Sequence, residues 1–153
     1  MARIDDIPEP TRSAILALDV PAATSAPFVD GPPLTARRIA IVTSAALHRR
    51  GELPFPPGSA ELRVLPASLP TRDMVMTHVS INFDRSGWSR DANLAYPIDR
   101  LRELAEQGVI GSVADAHYSV MGSTDPRTMV ATADAMAHGM RAEGVDAVLL
   151  CPV

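Results

Sequence analysis

Few side chains in this sequence could carry chemistry, since its 153 residues contain four histidines and a single cysteine. His117 stands two residues before Ser119, where the pattern predicts the end of a strand. Because the pKa of an imidazole lies near neutral pH, His117 could donate a proton to a leaving group or hold a carboxylate. A structural histidine that bonds a loop carbonyl is an equally good interpretation. His78 and Asp84 could form a second polar cluster at the same edge, with Ser119 completing a binding site.

Cys151 is the candidate nucleophile of the chain, because a thiolate attacks where a thiol does not. Free cysteine is also among the most often buried residues, and an inert core position is the favoured interpretation. His78, His117 and Cys151 could converge on a metal, but the sequence has no close pair such as His-x-x-x-His or Cys-x-x-Cys. We therefore predict no metal site. His48, in a predicted loop, and His138, on a helix face that points to solvent, are weaker candidates.

The elements that must position these groups begin with two apolar runs that do not alternate with polar residues. Arg38–Thr43 and residues 145–151 are typical of strands covered on both faces of a parallel sheet. Residues 61–65 predict a further strand, and residues 74–78 a short strand or a helical turn. Residues 44–58 contain several prolines and glycines and are predicted to be a loop.

Two helices are predicted between these strands. Pro97 opens the first and Gly108 ends it, and residues 109–113 follow as a tight connection or short strand. Thr124 or Asp125 caps the second, which has a proline in its first turn. Its apolar face is formed by Met129, Ala133, Met136 and Met140. The order of helix, glycine and apolar strand predicts an α/β fold, an open and mostly parallel sheet with flanking helices, Rossmann-like or flavodoxin-like.

Proline divides the chain into two regions, since eleven of its fourteen prolines fall in residues 1–70. We expect residues 1–36 to form an irregular N-terminal arm, with a short helix over residues 11–18, and residues 37–153 to form one domain. Ligands gather beyond the carboxyl ends of strands in open α/β sheets, and the chain reaches such an end at residues 151–153. We expect this domain to be truncated there. The alternatives are that the existing helices or a partner subunit cover the last strand.

Composition excludes several classes of function. The net charge is −4 and no long run of Lys or Arg occurs, so we predict no binding to nucleic acid. No apolar stretch reaches the length of a membrane-spanning helix, and the first ten residues do not read as a signal peptide. A single cysteine suits a reducing compartment, so we expect a cytoplasmic protein. No Gly-x-Gly-x-x-Gly pattern follows a strand, which argues against a nicotinamide or flavin cofactor.

Several separate motifs, in a fixed order, resemble the selenoprotein B family of glycine, betaine, sarcosine and D-proline reductases. They are residues 96–104, residues 108–113, the run His117, Tyr118 and Ser119, the pair Met121 and Gly122, and residues 144–150; Asp84 and residues 91–93 fit the approach to the first of them. The resemblance covers residues 37–153 and is dense from residue 78 onward.

The resemblance implies a reductase that cleaves a bond next to the amine of a small amino acid or derivative. A selenolate or thiolate attacks the substrate. A thiol/disulfide protein, with a disulfide as acceptor, then restores the reduced state of the reactive residue. In this family the strand matching residues 145–150 runs into a selenocysteine, or a cysteine in its place. That residue would follow Val153, and its UGA codon would be read as a stop. Cys151 lies three positions before it and does not match it.

The resemblance also implies that Asp84, His117 and Ser119 shape the substrate pocket. These 153 residues would hold no cofactor and would lack the nucleophile, and the chain could form a homo-oligomer. Two other functions stay open at this point. One is a non-catalytic module that binds a small molecule or a partner on the same fold. The other, favoured less, is a metal-dependent hydrolase or lyase that uses the histidines.

Overall fold

The computed structural model describes residues 3–17, 19, 26, 28–80 and 85–153. The strands of this part are β1 (Arg38–Thr43), β2 (Leu47–Arg49), β3 (Arg63–Pro66), β4 (Met74–Met76), β5 (Ser112–Val113), β6 (Ala116–Ser119) and β7 (Ala147–Cys151). Its α-helices are α1 (Thr11–Leu16), α2 (Ser86–Arg90), α3 (Ile98–Glu106) and α4 (Val130–Ala142). Residues 81–84 fall outside the described part, so the structure gives no position for Asp84.

The main sheet is built around β1. On one side β7 pairs with it in parallel along its length, from Ile39 opposite Ala147 to Thr43 opposite Cys151. On the other side β5 and β6 pair with it in parallel, one after the other, and β3 adds antiparallel to the far side of β6. The sheet is therefore mostly parallel, and the predicted α/β class is confirmed.

One face of the sheet carries the main core. Ile39 and Ile41 project from β1 against Ile98 and Leu101 of α3, and Tyr96 fills the space before the helix. All five side chains are less than a tenth exposed. Burying an aliphatic side chain of this size contributes about 2 kcal/mol, so this contact is what holds α3 on the sheet.

Helix α3 begins and ends where its sequence predicts. Pro97 has no side chain that could cap the helix, and Asn93 takes this role: its side-chain carbonyl accepts the backbone N–H of Asp99 at 3.1 Å. Pro97 stands directly before the first residue of the helix, and Gly108 follows its end with a positive φ of 68°. In α4 the predicted cap is also present: Asp125 accepts the N–H of Arg127 at 3.0 Å and opens a 3-10 turn, Pro126–Met129, that leads into the helix.

Two predictions about the loops and helices are wrong. Residues 44–58 are not all loop, because β2 lies within them and pairs antiparallel with β4. His48 is consequently buried in that small sheet, where its Nδ1 lies 2.9 Å from the carbonyl oxygen of Arg49. Met129, Met136 and Met140 are partly buried, in line with the predicted face, but Ala133 on α4 is exposed and Thr132 is buried instead.

The last strand is less covered, within the described residues, than its apolar composition predicts. β7 is an edge strand whose described neighbour is β1, and Val148, Leu149 and Leu150 are 41%, 38% and 68% exposed. Only its first and last residues, Ala147 and Cys151, pack against the main core.

The first 36 residues contribute little to the core. Their described part contains the short helix α1 and two 3-10 turns, Ile4–Asp6 and Leu34–Ala36, none with a buried residue. Among the described residues no helix combines the length and the apolar character that crossing a membrane requires.

Candidate functional site

The carboxyl ends of β1, β6 and β7 meet at one edge of the sheet, which we call the rim. Ser44 follows β1 and connects the three strands. Its N–H donates to the carbonyl oxygen of Cys151 at 3.2 Å, and its hydroxyl oxygen accepts the N–H of Val153 at 2.8 Å. Its own carbonyl oxygen accepts the N–H of Gly122, beyond β6, at 3.0 Å. Ser44 therefore fixes the direction in which the chain leaves β7.

Gly122 is required by close packing at the rim. A Cβ atom at this position would lie 2.8 Å from Nε2 of His78 and 2.9 Å from the carbonyl oxygen of Ser44. Both distances are shorter than a normal van der Waals contact. Only glycine lets the imidazole of His78 approach the backbone that holds Ser44 and Val153.

His78 lies two residues beyond β4 and is 3% exposed. Its Nδ1 accepts the N–H of Ser80 at 3.2 Å, so the ring proton of the neutral imidazole resides on Nε2, the atom that faces Gly122. Burial, and then the positive charge of Arg85, lower the pKa of His78 below its usual value. Arg85 also donates to the carbonyl oxygen of His78. At neutral pH the rim thus contains an uncharged imidazole that can donate from Nε2.

A cavity of about 460 Å³ opens beyond Gly122. It is lined by residues 122–127 and by Asp19. Arg127 crosses it, with its guanidinium 2.7 Å from the carboxylate of Asp125 and 3.3 Å from that of Asp19. The cavity therefore offers a cation and two carboxylates, all of them exposed, to a small molecule that carries both charges.

His117 and Ser119 lie beneath the rim and are fully buried. Pairing with β1 is interrupted between β5 and β6, and there Nδ1 of His117 accepts the N–H of Ile41 at 3.0 Å. Ser119 does the same for the segment after β1, accepting the N–H of Leu47 on its hydroxyl at 2.7 Å. Each side chain satisfies a buried backbone donor that the sheet leaves unpaired.

The ring of His117 is neutral at physiological pH. Burial lowers its pKa from 6.5 to about 4; the charge of Arg102 acts in the same direction, and that of Asp115 opposes it. The edge of the ring contacts Tyr96, with 5.6 Å between the ring centroids. Because Nδ1 accepts a hydrogen bond, Nε2 carries the proton.

Cys151 is half-buried at the end of β7, opposite Thr43. Burial raises the pKa of its thiol, which keeps the sulfur protonated at neutral pH. Among the described residues no three His, Cys, Asp or Glu side chains come together as metal ligands would.

The structure brings His78 to the rim, puts His117 and Ser119 under it, and keeps Cys151 at its edge. Sequence reasoning missed Ser44, Gly122 and Arg127. The position of Ser44 directly after the strongest predicted strand was a usable signal, because ligands bind beyond the carboxyl ends of parallel strands. Gly122 belongs to a motif of the resemblance, but its role depends on a contact with His78, which is distant in sequence.

Comparison with known proteins identifies the family. A family model for glycine/sarcosine/betaine reductase selenoprotein B matches residues 68–152. The gamma subunit of D-proline reductase from Acetoanaerobium sticklandii is 32% identical over 115 residues, which cover 73% of this chain and 47% of that protein. The gamma subunit of glycine reductase complex component B from Carboxydothermus hydrogenoformans is 36% identical over 63 residues, 40% of this chain and 14% of that protein. No solved structure matches the chain significantly.

The matched regions are parts of longer proteins, since the chain spans about half the length of the first relative and a smaller share of the second. The family match itself covers more than half of the 153 residues and contains both His78 and Gly122 of the rim. The chain belongs to the glycine/sarcosine/betaine reductase selenoprotein B family.

Proposed function

We propose that the protein containing this chain is a selenol- or thiol-dependent reductase of a small amino acid or derivative, of the glycine, sarcosine, betaine or D-proline type. Family membership supports this, as do relatives named as subunits of D-proline reductase and of a glycine reductase complex. The observation that carries the proposal is the hydrogen bond from Val153 to Ser44, which fixes the chain beside Gly122 and His78.

The reactive selenocysteine or cysteine would follow Val153, at the rim. Such a residue supplies a nucleophile of low pKa. In the overall reaction the bond between carbon and the substrate nitrogen is replaced by a C–H and an N–H bond, and a dithiol of the electron-donor protein becomes a disulfide. Both electrons and both hydrogens come from that dithiol. Because a dithiol donor persists in a reducing compartment, the proposed location is the cytoplasm.

The residues of this chain would hold the reacting groups in place. Ser44 fixes the backbone at Val153, and Gly122 lets the imidazole of His78 approach that backbone. The imidazole of His78, neutral at working pH, would act as a hydrogen-bond donor beside the reacting residue. His117 and Ser119 would shape the pocket from beneath. His117 holds the backbone within β1, and Ser119 holds the backbone after it.

The cavity beside Gly122 would bind the substrate. An amino acid is a zwitterion, so its carboxylate fits Arg127 and its ammonium group fits Asp125. Binding would break the ion pair between Arg127 and Asp125. Arg127 would then pair with the carboxylate of the ligand, and Asp125 with its ammonium group.

The test is turnover by the full protein as its own gene encodes it. Glycine, sarcosine, betaine and D-proline are supplied in turn with a dithiol, and NMR follows the loss of substrate and the oxidation of the dithiol. We expect one of the four to be consumed, with one disulfide formed per substrate. Ser44→Ala should lower kcat more than it changes KM, whereas Ser13→Ala, on the exposed helix α1, should leave both unchanged. Binding of a substrate without turnover would overturn the proposal and favour a non-catalytic binding module.

A further inference from the structure

A groove rich in arginine runs beside the turn that precedes β4. Three adjoining depressions, of about 450, 410 and 300 Å³, share their walls. Leu69 and Pro70 line the first two, and Arg72 lines the second and third. We call this surface the arginine groove; its basic residues are Arg49, Arg50, Arg72, Arg90 and Arg102.

The charge of the groove is opposite to that of the chain. Five arginines line it, against two carboxylates, Asp73 and Asp99, while the whole chain carries a net charge of −4. Arg102 is paired with Asp99 at 3.0 Å. Within the described residues no carboxylate lies at ion-pair distance from the other four arginines. A local excess of uncompensated positive charge raises the affinity of a surface for anionic ligands.

Hydrogen bonds hold Arg50 against the turn that carries Arg72. The N–H of Arg50 donates to the carbonyl oxygen of Asp73 at 2.7 Å, and its guanidinium donates to that of Arg72 at 3.2 Å. Trp88, on α2, lines the third depression together with Arg50, Arg72 and Arg90. The groove thus combines a fixed backbone with several planar guanidinium groups and an aromatic ring. Such a surface favours the binding of carboxylates on the side chains of a peptide.

The groove is separate from the rim. Arg72 lies before the start of β4 and His78 beyond its end, so the strand lies between the two surfaces. A ligand in the groove would therefore not cover the rim. The three depressions in a row also suit an extended segment better than a single small anion.

We propose that the arginine groove binds an acidic segment of a partner subunit. Only the statement that this partner belongs to a reductase complex rests on the proposed function; the groove and its charge do not. Docking there attaches the partner and leaves the rim free to receive the substrate and the electron donor.

The experiment uses Trp88, the only tryptophan among these 153 residues, as a reporter in the groove, and Trp88→Phe identifies its part of the signal. Its fluorescence is measured while a short polyglutamate peptide is added to the full protein, with polyglutamine and polylysine peptides as controls. The variants are Arg50→Gln with Arg72→Gln, and Arg141→Gln on the exposed end of α4 as the matched control. Circular dichroism and Tm establish that each variant is folded. Should the double variant not fold, Arg90→Gln replaces it.

We expect polyglutamate alone to change the Trp88 signal, with an affinity that falls as ionic strength rises. Loss of Arg50 and Arg72 should weaken binding by about tenfold, and Arg141→Gln should leave it unchanged. The proposal is overturned if polyglutamine binds equally well, if the double variant binds like wild type, or if low-millimolar inorganic phosphate displaces the peptide completely. None of these readouts depends on reductase activity, so failure here and failure of the proposed function are distinguishable.

Discussion

The buried imidazole of His117 makes the stability of this domain depend on pH below neutrality. Burial lowers the pKa of His117 from 6.5 to about 4 in the folded state, whereas the unfolded chain titrates near the ordinary value. Between these two pKa values the unfolded state binds more protons than the folded state. The free energy of unfolding therefore rises with pH in that window. The contribution is fully present above pH 6.5 and is lost as the pH falls through about 4.

The size of the effect follows from the same two pKa values. Each pH unit inside the window changes the free energy of unfolding by up to about 1.4 kcal/mol, so that lowering the pH from about 7 to about 5 should remove roughly 2 kcal/mol. The pKa of His78 is lowered as well, and this group adds a change of the same sign. A variant at His117 is needed to separate the two.

The assay is equilibrium unfolding in urea at both pH values. In His117→Asn the amide oxygen can still accept the N–H of Ile41, but the side chain cannot titrate. Wild type should lose about 2 kcal/mol more than this variant on acidification. His138→Asn, on the exposed face of α4, should behave like wild type. An equal pH dependence in wild type and His117→Asn, or an NMR titration of His117 with a pKa near 6.5, would refute the reasoning.

Three further outcomes are expected. Gly122→Ala should destabilise the fold by about 2 kcal/mol and displace His78, because its Cβ would lie 2.8 Å from the imidazole; a Tm equal to that of wild type would contradict this. Cys151 should react slowly with iodoacetamide at neutral pH and faster under alkaline conditions, because burial raises the pKa of its thiol, and rapid neutral alkylation would show the opposite. In the 153-residue chain the exposed edge strand β7 should promote self-association, and Leu150→Lys should reduce the association seen in sizing while changing stability by less than about 0.5 kcal/mol.

The parts of the fold that local sequence dictates were predictable. β1 shows as an unbroken apolar run, and α3 shows as an apolar face between Pro97 and Gly108. These signals depend on neighbouring residues alone. β2 lacks such a signal, because its three residues become a strand only by pairing with β4, more than twenty residues later. Pairing between distant segments is not encoded in the local pattern.

The composition of β7 alone does not indicate its position at the edge of the sheet, for a related reason. Its residues have the composition of a covered strand, but the order of strands in the sheet puts it at the edge. For the candidate site, residue type identified His78 and the position after β1 points to Ser44, whereas the role of Gly122 is recognised only from its distance to His78. Ser44 contributes a hydrogen bond to the backbone, and Gly122 contributes the absence of a Cβ atom. Neither role can be read from residue type alone.

The central claim is that the chain leaves β7 past Ser44 directly into the reactive residue. The most direct measurement is mass spectrometry of the full native protein after reduction, alkylation and trypsin digestion. The relevant peptide starts at Ala142, after cleavage at Arg141, and contains Val153. The account predicts that selenocysteine or cysteine follows Val153 and is alkylated, more slowly when substrate is present. Any other residue at that position, or an alkylation rate that substrate does not change, would contradict it.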